Sequence, residues 1–67
     1  MYSTITTKLE NHIMTITFNR PESLNSFNLP MMQDLVAAYQ AADQDYNVRV
    51  IIVTGAGRAF CAGADLS

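Results

Sequence analysis

Apolar and polar residues alternate twice near the start of the chain. Ile5, Thr7 and Leu9 alternate with Thr6 and Lys8, and Ile13 to Phe18 alternates again through Met14, Ile16 and Phe18. Glu10, Asn11 and His12 form a polar break of hairpin length, so two short paired strands are predicted. Asn11-His12 is not an Asn-Gly pair, which leaves the turn type open. From Asn19 to Asn28 the alternation stops: Pro21 has no N–H and restricts Arg20 to extended geometry. Asn28 offers a side-chain oxygen to the free amides of a helix start, and Pro30 fits the first turn. Leu29, Met32, Leu35, Val36, Tyr39 and Ala42 then recur at three- and four-residue spacing, with Gln33, Asp34, Gln40 and Asp43 on the other faces. This predicts an amphipathic helix of about fourteen residues ending near Asp43 to Asp45, with an acidic last turn that opposes the helix dipole.

Val48, Val50, Ile51, Ile52 and Val53 form an apolar run broken only by Arg49. Such a run predicts a strand over Val48–Val53, covered on both faces and parallel to Ile13–Phe18 through the helical crossover. Gly55, Ala56 and Gly57 end it. After Gly63, Ala64 and Asp65 suit the first turn of another helix.

Length changes how this pattern is read. The chain has 67 residues, 49% of them apolar. Folded alone, a chain of this size buries only about 60% of its unfolded surface. One Cys and one His provide neither a disulfide framework nor an ordinary zinc site. The expectation is therefore an N-terminal fragment, residues 1–67, of a single larger domain with no internal boundary.

Charge removes some partners. Lys8, Arg20, Arg49 and Arg58 are scattered, and six acidic residues leave a net charge of -2. This speaks against nucleic acid. No apolar stretch approaches the roughly 20 residues of a membrane span, and no secretory signal is visible. With one free Cys, the expected location is cytoplasmic.

Candidate chemistry is sparse. A dinucleotide loop opening at Gly55 would need a third glycine where Phe60 stands, and a Walker A loop would need Gly-Lys where Phe60 and Cys61 stand. Two readings remain for the glycines. They either bring backbone N–H groups near Gly63 and Ala64 onto a ligand at a helix start, or serve turn sterics. Cys61 has no base in view to activate it and reads as a packing residue. His12 reads as an exposed turn residue and Glu22 as solvent-facing. Asp65 is either an acid, a base or a helix-start anion, and Arg58 either reaches a phosphate or is solvated. Met14, Met31 and Met32 read as core filling.

Two segments carry a family resemblance. Asn19-Arg20-Pro21-Glu22-Ser23-Leu24-Asn25 matches N-R-P-x-x-x-N, and Val53 to Leu66 matches V-T-G-x-G-x-x-F-C-A-G-x-D-L. Both resemble the enoyl-CoA hydratase/isomerase, or crotonase, family across essentially the whole chain, which would span the first quarter to third of a member.

The resemblance implies an α/β fold, the crotonase-like superhelix of ββα units, of which the first ββα-β portion is present. It implies an acyl-CoA substrate, an enolate stabilised by two backbone N–H groups, and no cofactor apart from the coenzyme A of the substrate. It also implies a homotrimer or a dimer of trimers. By resemblance, the Ala64 N–H is the first oxyanion donor, the Ala62 carbonyl meets the adenine amino group, and Glu22, Ser23 and Leu24 run along the CoA. Gly63 belongs to the same binding loop, Asp65 is the helix-start aspartate and Leu66 flanks the acyl pocket. Several relatives have Lys where this chain has Glu22, which would repel the nucleotide phosphates. Residues 20–28 and 57–65 resemble, to a lesser degree, the branch acting on phenylacetyl-CoA derivatives. The second donor and the acid/base carboxylates come later in the family's sequence. A non-catalytic acyl-CoA-binding or scaffold protein is the alternative that the resemblance leaves open.

Overall fold

A computed structural model describes residues 2–57, 60, 61 and 63. Strands β1 (Ile5–Glu10) and β2 (Ile13–Phe18) are followed by a 3₁₀ turn at Pro21–Ser23, helix α1 (Leu29–Asp43) and strand β3 (Val50–Gly55). The sheet runs β1-β2-β3, antiparallel at the first pair and parallel at the second. This is the order of elements expected from the hydrophobic pattern.

The hairpin turns through Asn11 (φ 52°) and His12 (φ 66°), both left-handed. Two positive-φ residues make the tight reversal that suits the twist of paired strands. His12 is held there from outside the hairpin. Its Nδ1 lies 2.9 Å from the Asn47 carbonyl, so that nitrogen carries the proton. Its own carbonyl accepts from the amides of Arg49 and Val50 at 2.8 and 3.2 Å.

That tether shifts β3 relative to the expected Val48–Val53. The Asn47 amide donates to Asp45 Oδ1 at 2.8 Å, and the Val48 amide to the Asp45 carbonyl at 3.0 Å. Val48 is thus spent in a turn, pairing begins at Ile13 with Val50, and the strand runs on to Gly55 opposite Phe18. Nor is β3 covered on both faces. Ile51 and Val53 are half-buried against the core, whereas Val50 and Ile52 are 51% and 47% exposed.

Ile5, Ile16, Phe18, Met31 and Ala38 form the core. Asn28 caps α1 as expected, its side-chain oxygen accepting from the Met31 amide at 3.0 Å. The buried stripe keeps half-buried Leu35 and buried Ala42 of the expected one, but runs through Met31 and Ala38 in place of Met32, Val36 and Tyr39. Successive helix positions are about 100° apart, so α1 has two apolar stripes. The one with Ala38 and Ala42 lets the backbone approach the sheet. Leu29, Met32, Val36 and Tyr39 stay 41–59% exposed, which corrects the core role expected for Met32. Met14, by contrast, packs against the core.

Asp34 ties the start of the chain to this helix. Its Oδ2 accepts from the Thr4 hydroxyl (2.7 Å), the Thr4 amide (2.9 Å) and the Ser3 amide (3.1 Å). The Thr4 hydroxyl bond first, then the Thr4 amide, holds the carboxyl below its ordinary pKa, because each bond favours the ionised form.

Candidate functional site

Parallel pairing ends at Phe18 opposite Gly55, so the segments following β2 and β3 leave the sheet at the same end. The Ala56 amide donates to the Phe18 carbonyl at 2.8 Å, extending the contact past the strand. Two sequence-distant segments meet there, 19–28 and the described residues that follow β3 (Ala56, Gly57, Phe60, Cys61 and Gly63).

The first loop is built around Asn25. Pro21 starts a 3₁₀ turn, and Leu24 and Asn25 reverse the chain at φ 52° and 57°. Asparagine is among the residues that tolerate this conformation. The Asn25 amide donates to the Arg20 carbonyl at 2.8 Å, and its Oδ1 accepts from the Arg20 amide at 2.7 Å. Its Nδ2 donates across to the Ala56 carbonyl at 2.8 Å. With zero exposure, Asn25 replaces the water that these backbone groups would otherwise need. The Arg20 guanidinium closes the loop by donating to the Ser26 carbonyl and to Ser23 Oγ, the latter at 3.4 Å.

The second loop lies against the first. Gly57 has φ +82°, and a Cβ there would stand 3.1 Å from Pro21 Cβ. Conformation and close approach both call for glycine. Phe60 sets its ring against Phe18, centroids 5.3 Å apart at 50°. Cys61 is a free, half-buried thiol packed against the core, in keeping with its expected role. The Phe27 amide then donates to the Gly63 carbonyl at 2.7 Å, joining the loops a second time.

Among the residues implied by the resemblance, Glu22 is exposed, Ser23 half-buried beside Arg20, and Leu24 39% exposed. Gly63 is exposed, with φ +103°. The structure brings the loop of Glu22, Ser23 and Leu24 together with Gly63 through Asn25 and Phe27. Ala62, Ala64, Asp65 and Leu66 lie outside the described residues, as does Arg58. His12 is exposed at the hairpin, as expected. Reading the sequence for chemistry missed Asn25 and the Phe27 amide. Asn25 stood in the N-R-P-x-x-x-N motif, but nothing in its spacing showed that it is buried, and a main-chain donor leaves no side-chain signature.

Among the described residues, no group of three or more His, Cys, Asp or Glu is placed to hold a metal ion. A hollow of about 620 Å³ lies among Tyr39, Ala42, Tyr46, Val48 and Ile51, at the start of β3 and so at the opposite end of the strand from the two loops. A smaller one of about 240 Å³ sits beside the loop junction, among Phe27, Asn28, Leu29 and Met32.

Comparison with known proteins places this arrangement. The enoyl-CoA hydratase/isomerase family matches residues 8–67, and the chain belongs to that family. The crystal structure of an enoyl-CoA hydratase/isomerase from Mycobacterium paratuberculosis superposes with a TM-score of 0.95 at 45% identity, over 98% of this chain and 26% of that one. The fold is therefore the ββα-β portion of the crotonase fold. Among curated relatives, the 1,2-epoxyphenylacetyl-CoA isomerase of Escherichia coli K12 is 45% identical over all of this chain and 26% of its own length. A probable peroxisomal enoyl-CoA hydratase of Arabidopsis thaliana is 53% identical over 82% of this chain and 21% of its own. The chain thus spans about a quarter of the relatives it matches.

Proposed function

We propose that this chain is the first part of an acyl-CoA hydratase or isomerase that works through a thioester enolate. The junction of the two loops supports the reading: Gly63 is held by Phe27 at the end of a parallel strand pair, and Ala64 follows it directly. In this proposal the Ala64 N–H is one of two donors to the thioester oxygen. Removing a proton next to the thioester carbonyl, or adding a nucleophile to the conjugated double bond, moves negative charge onto that oxygen. A backbone donor fixed before the charge appears needs no reorganisation, and losing one typically costs about 3 kcal/mol in the transition state. Proline at position 64 would remove the N–H, and a bulky side chain would displace the oxygen. The second donor and the proton-transferring carboxylates come from the longer protein.

The coenzyme A portion runs past Glu22, Ser23, Leu24, Ala62, Gly63, Asp65 and Leu66 in this reading. The exposure of Glu22 leaves its carboxylate free to point away from the nucleotide phosphates. No metal and no cofactor beyond coenzyme A is required. The same reading makes the whole protein a cytoplasmic lyase or isomerase of fatty acid metabolism, assembled as a homotrimer or a dimer of trimers. It assigns no nucleic-acid or membrane partner; no helix among the described residues is long and apolar enough to cross a membrane.

The test is turnover by the full-length protein across a series of enoyl-CoA thioesters, followed by loss of the conjugated thioester absorbance and by product analysis. Hydration or double-bond movement is expected. Acyl-CoA binding without turnover at any chain length would replace the enzyme with a binding or scaffold protein.

A further inference from the structure

Taking Ala64 as the oxyanion donor, we infer that the main-chain N–H of Phe27 aims and polarises that donor, with Asn25 holding Phe27 in position. The Gly63 carbonyl and the Ala64 N–H are two ends of one peptide unit. A trans peptide is planar and carries these groups on opposite sides, so whatever fixes the oxygen also fixes the direction of the hydrogen. The Phe27 amide does this at 2.7 Å, the short end of the range for such bonds.

Gly63 is exposed, and no described atom lies within 4 Å of where its Cβ would stand. Glycine has the widest backbone freedom of any residue, so a bond from outside is needed to remove it. Phe27 is suited to the task because its own backbone is held on both sides. Two residues before it, fully buried Asn25 bonds to both loops. Immediately after it, Asn28 caps α1.

The bond also acts electronically. Hydrogen bonds in series polarise one another, so a donor on the Gly63 oxygen makes the N–H at the other end of the peptide a stronger donor. Charge developing on a thioester oxygen is then felt beyond Ala64, through the peptide, by Phe27. Phe27 is a positioning residue and touches no substrate in this role.

The experiment uses the full-length protein, assembled from synthetic residues 1–60 joined at Cys61 to the remainder. Replacing the Phe27 amide by an ester removes the N–H and keeps the side chain. We expect kcat on an enoyl-CoA to fall about tenfold, a fraction of the loss from deleting an oxyanion donor outright. KM and the affinity for coenzyme A should hold, the pattern of an interaction felt mainly in the transition state. The carbonyl stretch of the bound thioester, followed by difference infrared spectroscopy, should move back toward its value in water. Merely lowering the folded fraction would leave that stretch unchanged in the protein that remains folded. Asn25→Gly, which keeps the positive-φ backbone and deletes the side-chain bonds, should give the same split and decides the matter if the ester does not fold. Unchanged kcat with an unchanged stretch overturns the role of Phe27 and leaves the acyl-CoA reading standing. If the unsubstituted protein neither binds nor turns over any acyl-CoA, both fall together.

Discussion

At the scale of single residues, the loops are held by atoms whose residue types say little about their work. Asn28 was legible as a cap because Asn before an apolar periodic run has a local meaning. Asn25, three positions earlier, has the same side chain, but its partners at Arg20 and Ala56 depend on two strands ending side by side. Gly57 was legible as a turn glycine, whereas its approach to Pro21 was not. Asp34 is similar: a polar position on a helix that proves to bind Ser3 and Thr4. Its lowered pKa has a consequence for stability. Because the folded state favours the ionised carboxylate, the contribution of Asp34 is fully present above the ordinary carboxylate pKa of about 4 and fades as pH falls through the lowered folded value. In the full-length protein, Asp34→Asn should lower the unfolding midpoint at neutral pH. The deficit should shrink toward zero in strongly acidic buffer, as followed by denaturant titration at several pH values. A deficit of constant size at every pH would show that the carboxylate charge is not what holds the N-terminal segment.

At the scale of elements, periodicity identified each strand and the helix but not how they face one another. The helix start came from the cap, a local feature, and its end from where the apolar spacing stops. Its buried face did not, because two apolar stripes compete and size decides between them in an unexpected direction. Met32, Val36 and Tyr39 are larger than Ala38 and Ala42, yet the sheet takes the stripe of Met31, Leu35, Ala38 and Ala42, whose two alanines let the helix lie close. The shift of β3 has a comparable origin in the turn made by Asp45, whose side-chain bond to Asn47 is invisible to a hydrophobic pattern. The choice of face can be tested by overpacking. Ala38 is 1% exposed within the core cluster, so Ala38→Leu should cost about 1–3 kcal/mol. Val36→Leu, at a position 49% exposed, should cost less than half as much. Denaturant midpoints of the two full-length variants compare them directly, and equal losses would place both stripes in packed surroundings.

At the scale of the molecule, the same apolar surfaces bear on whether these 67 residues hold together by themselves. One face of the sheet packs on α1, while the opposite face presents Ile13, Val50 and Ile52, all at least 36% exposed. The outer stripe of α1 presents Leu29, Met32, Val36 and Tyr39 as well. Two uncovered apolar surfaces on so short a chain leave water in contact with side chains whose burial would ordinarily offset the entropy of ordering them. β3 adds a second liability: among the described residues it is a sheet edge, with a strand paired on one side only. The 67-residue chain made alone is therefore expected to be poorly folded or self-associated, and inactive. Its amide spectrum should be narrow at low concentration, and heating should give a broad transition. A sharp two-state transition with dispersed amide signals from a monomer would show that the core around Ile16 and Met31 suffices. The uncovered sheet face would then be ordinary surface rather than the inner layer of a larger fold.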